Sequence, residues 1–199
     1  ATAMLTRNAT LFRKRSDGTF PLRTYLLLWP YLSLYTLIIY FHRKIRKYEP
    51  VATQVMPGWY LSGWINNAEC LRAAGSSLKK VAILDMTCEL PRRLFSCDTC
   101  DVQYMNIPIL DRLSPSVDDI SKAAKWCNEM RKQDYDVVVH CAFGHGRSAT
   151  CFIAALLAAG AQSGIEETES WLQGMRPHVK LTKEQYGRLT EWTNSNKCD

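Results

Sequence analysis

Val137-Val138-Val139-His140-Cys141-Ala142-Phe143-Gly144-His145-Gly146-Arg147-Ser148-Ala149-Thr150-Cys151-Phe152-Ile153-Ala154-Ala155-Leu156-Leu157 is the stretch on which the fold turns. A short β-branched run opens it and a longer apolar run of helix formers closes it, so it reads as a buried strand, a loop and a helix. The loop between them suits an anion. Successive main-chain N–H groups converge there, the following helix presents its positive end, and Gly144 and Gly146 let the backbone approach closely. A free cysteine with a pKa near 8.5 is only about 3% thiolate at neutral pH, so a Cys141 held as thiolate in this loop needs that value lowered. The loop amides, the helix dipole and the guanidinium of Arg147 all act in that direction.

The spacing alone is weak. With 8 Cys and 14 Arg among 199 residues, chance gives roughly half a Cys-x5-Arg match. Two fixed glycines, a hydroxyl residue after the arginine, and the flanking strand and helix make coincidence remote. With these features the chain resembles the cysteine-dependent protein tyrosine and dual-specificity phosphatases, whose signature is H-C-x5-R-[ST], over about residues 51–194. The resemblance implies an α/β fold, with a central mostly parallel sheet flanked by helices, and an N-terminal hydrophobic helix is expected in front of it. It also implies hydrolysis of phosphomonoesters without metal or other cofactor.

Under this reading Cys141 is the nucleophile and Arg147 the clamp that grips two phosphate oxygens. Ser148 donates to the sulfur and eases its departure from a phosphocysteine, and Ala142, Phe143, Gly144, His145 and Gly146 line the substrate cradle. Expulsion of an alkoxide needs an acid, and Asp111, in Ile107-Pro108-Ile109-Leu110-Asp111-Arg112, stands where the family carries one, 30 residues before Cys141. A solvated turn residue, or a pair with Arg112, is the alternative for Asp111. His140 is expected to order the loop. His145 either reads a second phosphate or shapes the rim, and Phe143 packs beneath the loop. Cys88, just past the strand Val81–Leu84, is a candidate redox partner of the nucleophile, against the alternative of an inert buried thiol. Cys97-Asp98-Thr99-Cys100 lacks a fourth ligand for zinc. Arg176 in Arg176-Pro177-His178 is expected to brace the active-site face.

The net charge of +6 is local. Residues 1–50 carry 9 basic and 2 acidic groups, and residues 51–199 carry 16 and 17, so the catalytic part lacks the basic stripe that would track nucleic acid. The basic groups bracket Thr24–Phe41, eighteen uncharged residues that make a helix of about 27 Å, enough for a hydrocarbon core. Four regions result: a basic tail over 1–23, a membrane-spanning or membrane-associated helix over 24–41, a basic juxtamembrane linker over 42–53 and a dual-specificity phosphatase-like domain over 54–196. A span is the leading reading. A helix lying on the surface, one packed on the catalytic domain, and an uncleaved signal sequence are the alternatives. A catalytic thiolate favours a domain facing the cytosol or another reducing compartment.

The expected activity is therefore phosphomonoester hydrolysis at a membrane, on phosphotyrosine, phosphoserine or phosphothreonine of proteins, with phosphoinositides or other phospholipids as the alternative substrates. A pseudophosphatase that binds phosphorylated ligands without turnover is a second alternative. Strands are expected near 59–61, 81–85, 102–107 and 137–140, and helices near 66–74, 116–131, 148–160, 164–175 and 182–194.

Overall fold

The computed structural model describes residues 9–65, 79–93 and 100–196. Five strands form one sheet in the order β1-β2-β5-β3-β4: β1 Ala52–Met56, β2 Trp59–Ser62, β3 Lys80–Thr87, β4 Asp101–Ile109 and β5 Asp136–His140. Only the β1–β2 pair is antiparallel, and β2, β5, β3 and β4 run parallel. The expected α/β class with a mostly parallel sheet is what the chain adopts. β1 was not anticipated. It joins β2 through the tight turn at Pro57-Gly58, and its first two residues, Ala52 and Thr53, fall at the end of the expected linker. The expected helix over 66–74 lies outside the described residues.

Ahead of the sheet stands α1, Leu22–Ile45, long and apolar enough to cross a membrane. One stripe of it packs on the domain: Tyr35 and Ile39 are buried with Trp64, Leu90 and Ala142. The segment before it also docks. Phe12 and Phe20 pack with Cys88 and Leu110, and Lys14 donates to Asp85 Oδ2 at 2.6 Å and to Thr87 O at 2.9 Å in a buried ion pair. Burial alone would raise the Asp85 carboxyl. The Lys14 ammonium, with His140 and the Thr87 hydroxyl, instead holds it well below the ordinary range.

Helices α2 Val117–Lys132, α3 Arg147–Ala158, α4 Ile165–Met175 and α5 Lys183–Ser195 complete the chain. Capping boxes start two of them: Ser116 and Asp119 bond reciprocally at the start of α2, as do Thr182 and Gln185 at the start of α5, each satisfying N–H groups a helix start leaves orphaned. α3 is apolar on every side because it is the core helix. Phe152, Ile153 and Leu156 are fully buried with Leu84, Val137, Val139, Leu172 and Leu189.

Candidate active site

Three neighbouring parallel strands end on one side of the sheet, and each delivers one part of the site. β5 runs into Cys141, β3 into Cys88 and Glu89, and β4 into Asp111. This is the crevice outside the carboxyl ends of a parallel sheet, where α/β folds place their ligands.

The loop folds back on the sulfur. Gly144 N–H donates to Cys141 Sγ at 3.3 Å and the Ser148 hydroxyl at 3.2 Å, while Gly146 ends the loop as the N-cap of α3. Gly144 is required here: its φ is +83°, and a Cβ would lie 2.7 Å from the Ser62 carbonyl carbon and oxygen. Burial would push the Cys141 thiol up. The Arg147 charge, the Ser148 hydroxyl and the N–H groups of Ser148 and Gly144 outweigh it and bring the thiol below its ordinary value. The sequence required that sign, and a charge and a set of hydrogen bonds supply it together.

Arg147 is itself buried and occupied on every side. Its Nη1 donates to Glu89 Oε2 at 3.0 Å and to Ile109 O at 2.7 Å, and its Nη2 to Glu89 Oε1 at 2.7 Å and Asp111 Oδ1 at 3.0 Å. Asp111 therefore faces Arg147 rather than Arg112, beside the loop that follows Cys141. Glu89 was not anticipated. It is 1% exposed and grips the guanidinium fork to fork, an arrangement that fixes the planar group edge-on to its carboxylate. Its sole sequence signal is an acidic residue directly after a buried strand end.

Arg176 donates to Phe143 O at 3.1 Å, to Pro50 O and Thr53 Oγ1 at 2.9 Å, and pairs with Glu49 at 3.0 Å, tying the loop to β1 and to the linker before it. His145 Nε2 meets Glu49 Oε1 at 2.7 Å. Burial lowers the imidazole to about 4 against the pull of Glu49, so at neutral pH the ring donates its N–H to Glu49 as a neutral group. Phe143 packs against the buried cluster of Tyr35, Ile39, Trp64, Leu90 and Ala142, with its ring 4.4 Å from that of His42. Cys88 is a free, buried thiol that approaches Glu89 Oε2 at 3.4 Å, and burial pushes it far up. Cys100 is disulfide-bonded, and Cys97 lies outside the described residues. Among the described residues no three His, Cys, Asp or Glu side chains gather where they could hold a metal ion.

The catalytic-domain model of the dual specificity phosphatases matches residues 64–195, about two thirds of the chain. The chain belongs to that family. A search of curated proteins found no match. Among solved structures, a mutant form of Tk-PTP is 26% identical, with 75% of this chain and 99% of that one covered at a TM-score of 0.62. A variant of human DUSP28, 15% identical, covers 75% and 98% at 0.64, and PTPMT1 in complex with PI(5)P, 17% identical, covers 74% and 97% at 0.62; these two share the fold. As a dual specificity phosphatase the chain is a cysteine-dependent enzyme, and the Cys141–Ser148 contact agrees with that chemistry.

Proposed function

We propose that the chain hydrolyses phosphomonoesters at a membrane surface through a phosphocysteine on Cys141. The thiolate attacks phosphorus while the P–O ester bond breaks, and Asp111, in its acid form, gives its proton to the departing oxygen. Water then attacks the phosphocysteine, Asp111 takes back a proton, and inorganic phosphate leaves with the sulfur again a thiolate. Arg147 carries the charge that spreads over the phosphoryl oxygens, and a phosphate entering the cradle competes with Asp111 for Nη2. Ser148 stabilises the sulfur as leaving group. Cys141 works only as a free thiol, and Cys88, Cys127 and Cys151 are free beside it, which favours a domain facing the cytosol or another reducing compartment even with Cys100 disulfide-bonded.

The observation that carries the reading is the doubly hydrogen-bonded Cys141 sulfur beside a buried Arg147 and a carboxylate from the β4 loop. The expectation of phosphoprotein substrates rests on the lack of a lysine in the cradle, and the surroundings of the cleft bear on it below. The test is phosphate release by the full chain from para-nitrophenyl phosphate and from an alkyl phosphate. Cys141→Ser abolishes both, and Asp111→Ala lowers kcat on the poor alkyl leaving group at least tenfold more than on nitrophenolate. Equal losses on the two substrates remove Asp111 from the acid role, and turnover by Cys141→Ser removes the phosphocysteine.

A further inference from the structure

Given the phosphomonoesterase reading above, we infer that α1 lies in the plane of a membrane and walls the catalytic cleft, so that the substrate is a phosphomonoester of a membrane lipid whose acyl part runs along Tyr35 and Ile38. The first observation is connectivity. A helix of 24 residues is about 36 Å long, and one that spans a hydrocarbon core of about 30 Å leaves its two ends on opposite sides. Here both ends are fastened to the same domain. Before α1, Lys14 is buried on Asp85, Phe12 and Phe20 pack on Cys88 and Leu110, and Gly18 O accepts from Arg92 N–H at 2.8 Å. In its last turn Arg43 donates to Trp64 O, and after it Glu49 pairs with Arg176 and Val51 O accepts from Gly63 N–H at 2.8 Å. A domain cannot hold both ends of a helix that crosses the bilayer.

The second observation is what α1 leaves bare. Leu26, Leu27, Trp29, Leu34, Ile38 and Phe41 are between 46% and 77% exposed, an apolar surface that water does not favour. The helix holds no acidic residue, and Arg43, Lys44, Arg46 and Lys47 cluster at its end. The domain covers one stripe of this apolar helix and leaves the opposite side bare, and a basic run at the end of a bare apolar face attracts an anionic lipid layer. That pattern selects a bilayer over a second protein as the occupant.

The third observation joins this surface to the chemistry. A cleft of about 770 Å³ lies between α1 and the acid loop, lined by Tyr35, Ile38 and His42 on one side, by Leu110, Asp111, Arg112 and Leu113 on the other, and by Phe143 of the cradle. It leads from the bare face of α1 to Asp111. The helical wall offers no free main-chain N–H or C=O, since those groups are spent inside the helix, so it gives an extended peptide nothing to bond with and gives an acyl chain a continuous apolar surface. Arg112 at the same mouth suits a phosphorylated headgroup.

The experiment uses the full chain added to sealed anionic phosphatidylcholine/phosphatidylserine vesicles. In a double variant Asp17→Cys/Tyr48→Cys, whose two positions flank α1, an impermeant maleimide outside the vesicles labels both sites on one molecule. Single labelling only is the signature of a span and overturns the inference. Turnover is compared on vesicles containing phosphatidic acid or phosphatidylinositol 5-phosphate, on a phosphotyrosine peptide and on para-nitrophenyl phosphate. Expected are a kcat/KM on at least one vesicle lipid more than tenfold above that on the peptide, a tenfold or greater loss on lipid in Leu26→Glu/Leu27→Glu with para-nitrophenyl phosphate turnover unchanged, and in Ile38→Glu a loss on lipid at least tenfold larger than on para-nitrophenyl phosphate. Faster turnover of the peptide, or no turnover of either lipid by an enzyme that hydrolyses para-nitrophenyl phosphate, overturns the lipid assignment. No turnover of para-nitrophenyl phosphate sinks the hydrolase reading instead.

Discussion

Glu89→Gln is the substitution that best separates clamp positioning from thiolate formation. Arg147 serves three anions in this site: the Glu89 carboxylate through two bonds of 2.7 and 3.0 Å, Asp111 through one of 3.0 Å, and the Cys141 sulfur by charge. A glutamine keeps one acceptor oxygen and turns an NH₂ donor towards the guanidinium, so one charge-assisted bond is lost and its partner faces a repelling dipole. Such a bond contributes about 1.5–3 kcal/mol, and the free energy of unfolding by denaturant should fall by about that amount. If most of it had held the guanidinium in its gripping orientation, kcat on para-nitrophenyl phosphate drops about ten- to hundredfold. The thiol responds with the opposite sense. With one competing carboxylate gone, more of the Arg147 charge acts on Cys141, so the thiol ionises still more readily and the acidic limb of kcat/KM moves to lower pH. Alkylation by iodoacetamide across pH reads the thiol directly. A kcat within twofold of the parent enzyme, or an alkylation profile shifted to higher pH, would refute the view that Glu89 positions the clamp and shares its charge.

Ser148→Ala removes a donor to Cys141 Sγ, so its alkylation profile moves up in pH and the phosphocysteine accumulates, seen by rapid-quench mass spectrometry as an adduct on the Cys141 peptide; unchanged adduct levels count against the leaving-group role. Lys14→Met strips the buried Asp85 of its cation and should cost about 3–5 kcal/mol in urea unfolding. Since the folded Asp85 carboxyl sits below its unfolded value, that contribution is whole above about pH 4 and fades as pH falls towards the folded pKa, so the gap between Lys14→Met and parent closes in acid; a gap that widens there contradicts the pairing. Gly144→Ala meets both a positive φ and a 2.7 Å contact with Ser62, and should abolish turnover while lowering Tm by a few degrees; retention of full activity would mean that the cradle tolerates a different loop path.

What the chain order disclosed depended on how far apart the interacting residues lie. The cradle is legible because its parts are consecutive: strand, loop and helix N-terminus follow one another, and each has its own local signal, from the valines of β5 to the glycines and the apolar face of α3. Asp111 needed one further step, the end of an apolar strand. Glu89 is 58 residues from Arg147, and only the placement of β3 beside β5 brings the two together; no local pattern encodes that neighbour relation. Glu49, which holds His145 and Arg176, is hidden for the same reason, inside a stretch that composition marks as linker.

The helix before the domain shows why a clear local signal can still leave topology open. α1 is apolar around its whole circumference, so the residues that face the domain and those that face outward have the same chemistry, and no period in the sequence tells them apart. A span, a core helix and a helix held between the domain and a lipid surface all fit that composition. The deciding residues lie outside the helix: Lys14 and Phe20 before it and Glu49 after it have partners on one domain. The buried Lys14–Asp85 pair also ties those partners to the site, since Asp85 lies 3.7 Å from His140 Nε2, one residue before the nucleophile. An upstream segment that sets the charge beside His140 and a downstream one that braces Phe143 and His145 fasten α1 to the loop that carries Cys141. A tether could be exchanged for any apolar helix of equal length, whereas this helix lends Tyr35, whose hydroxyl reaches Glu89 at 3.5 Å, and His42, which packs on the cradle.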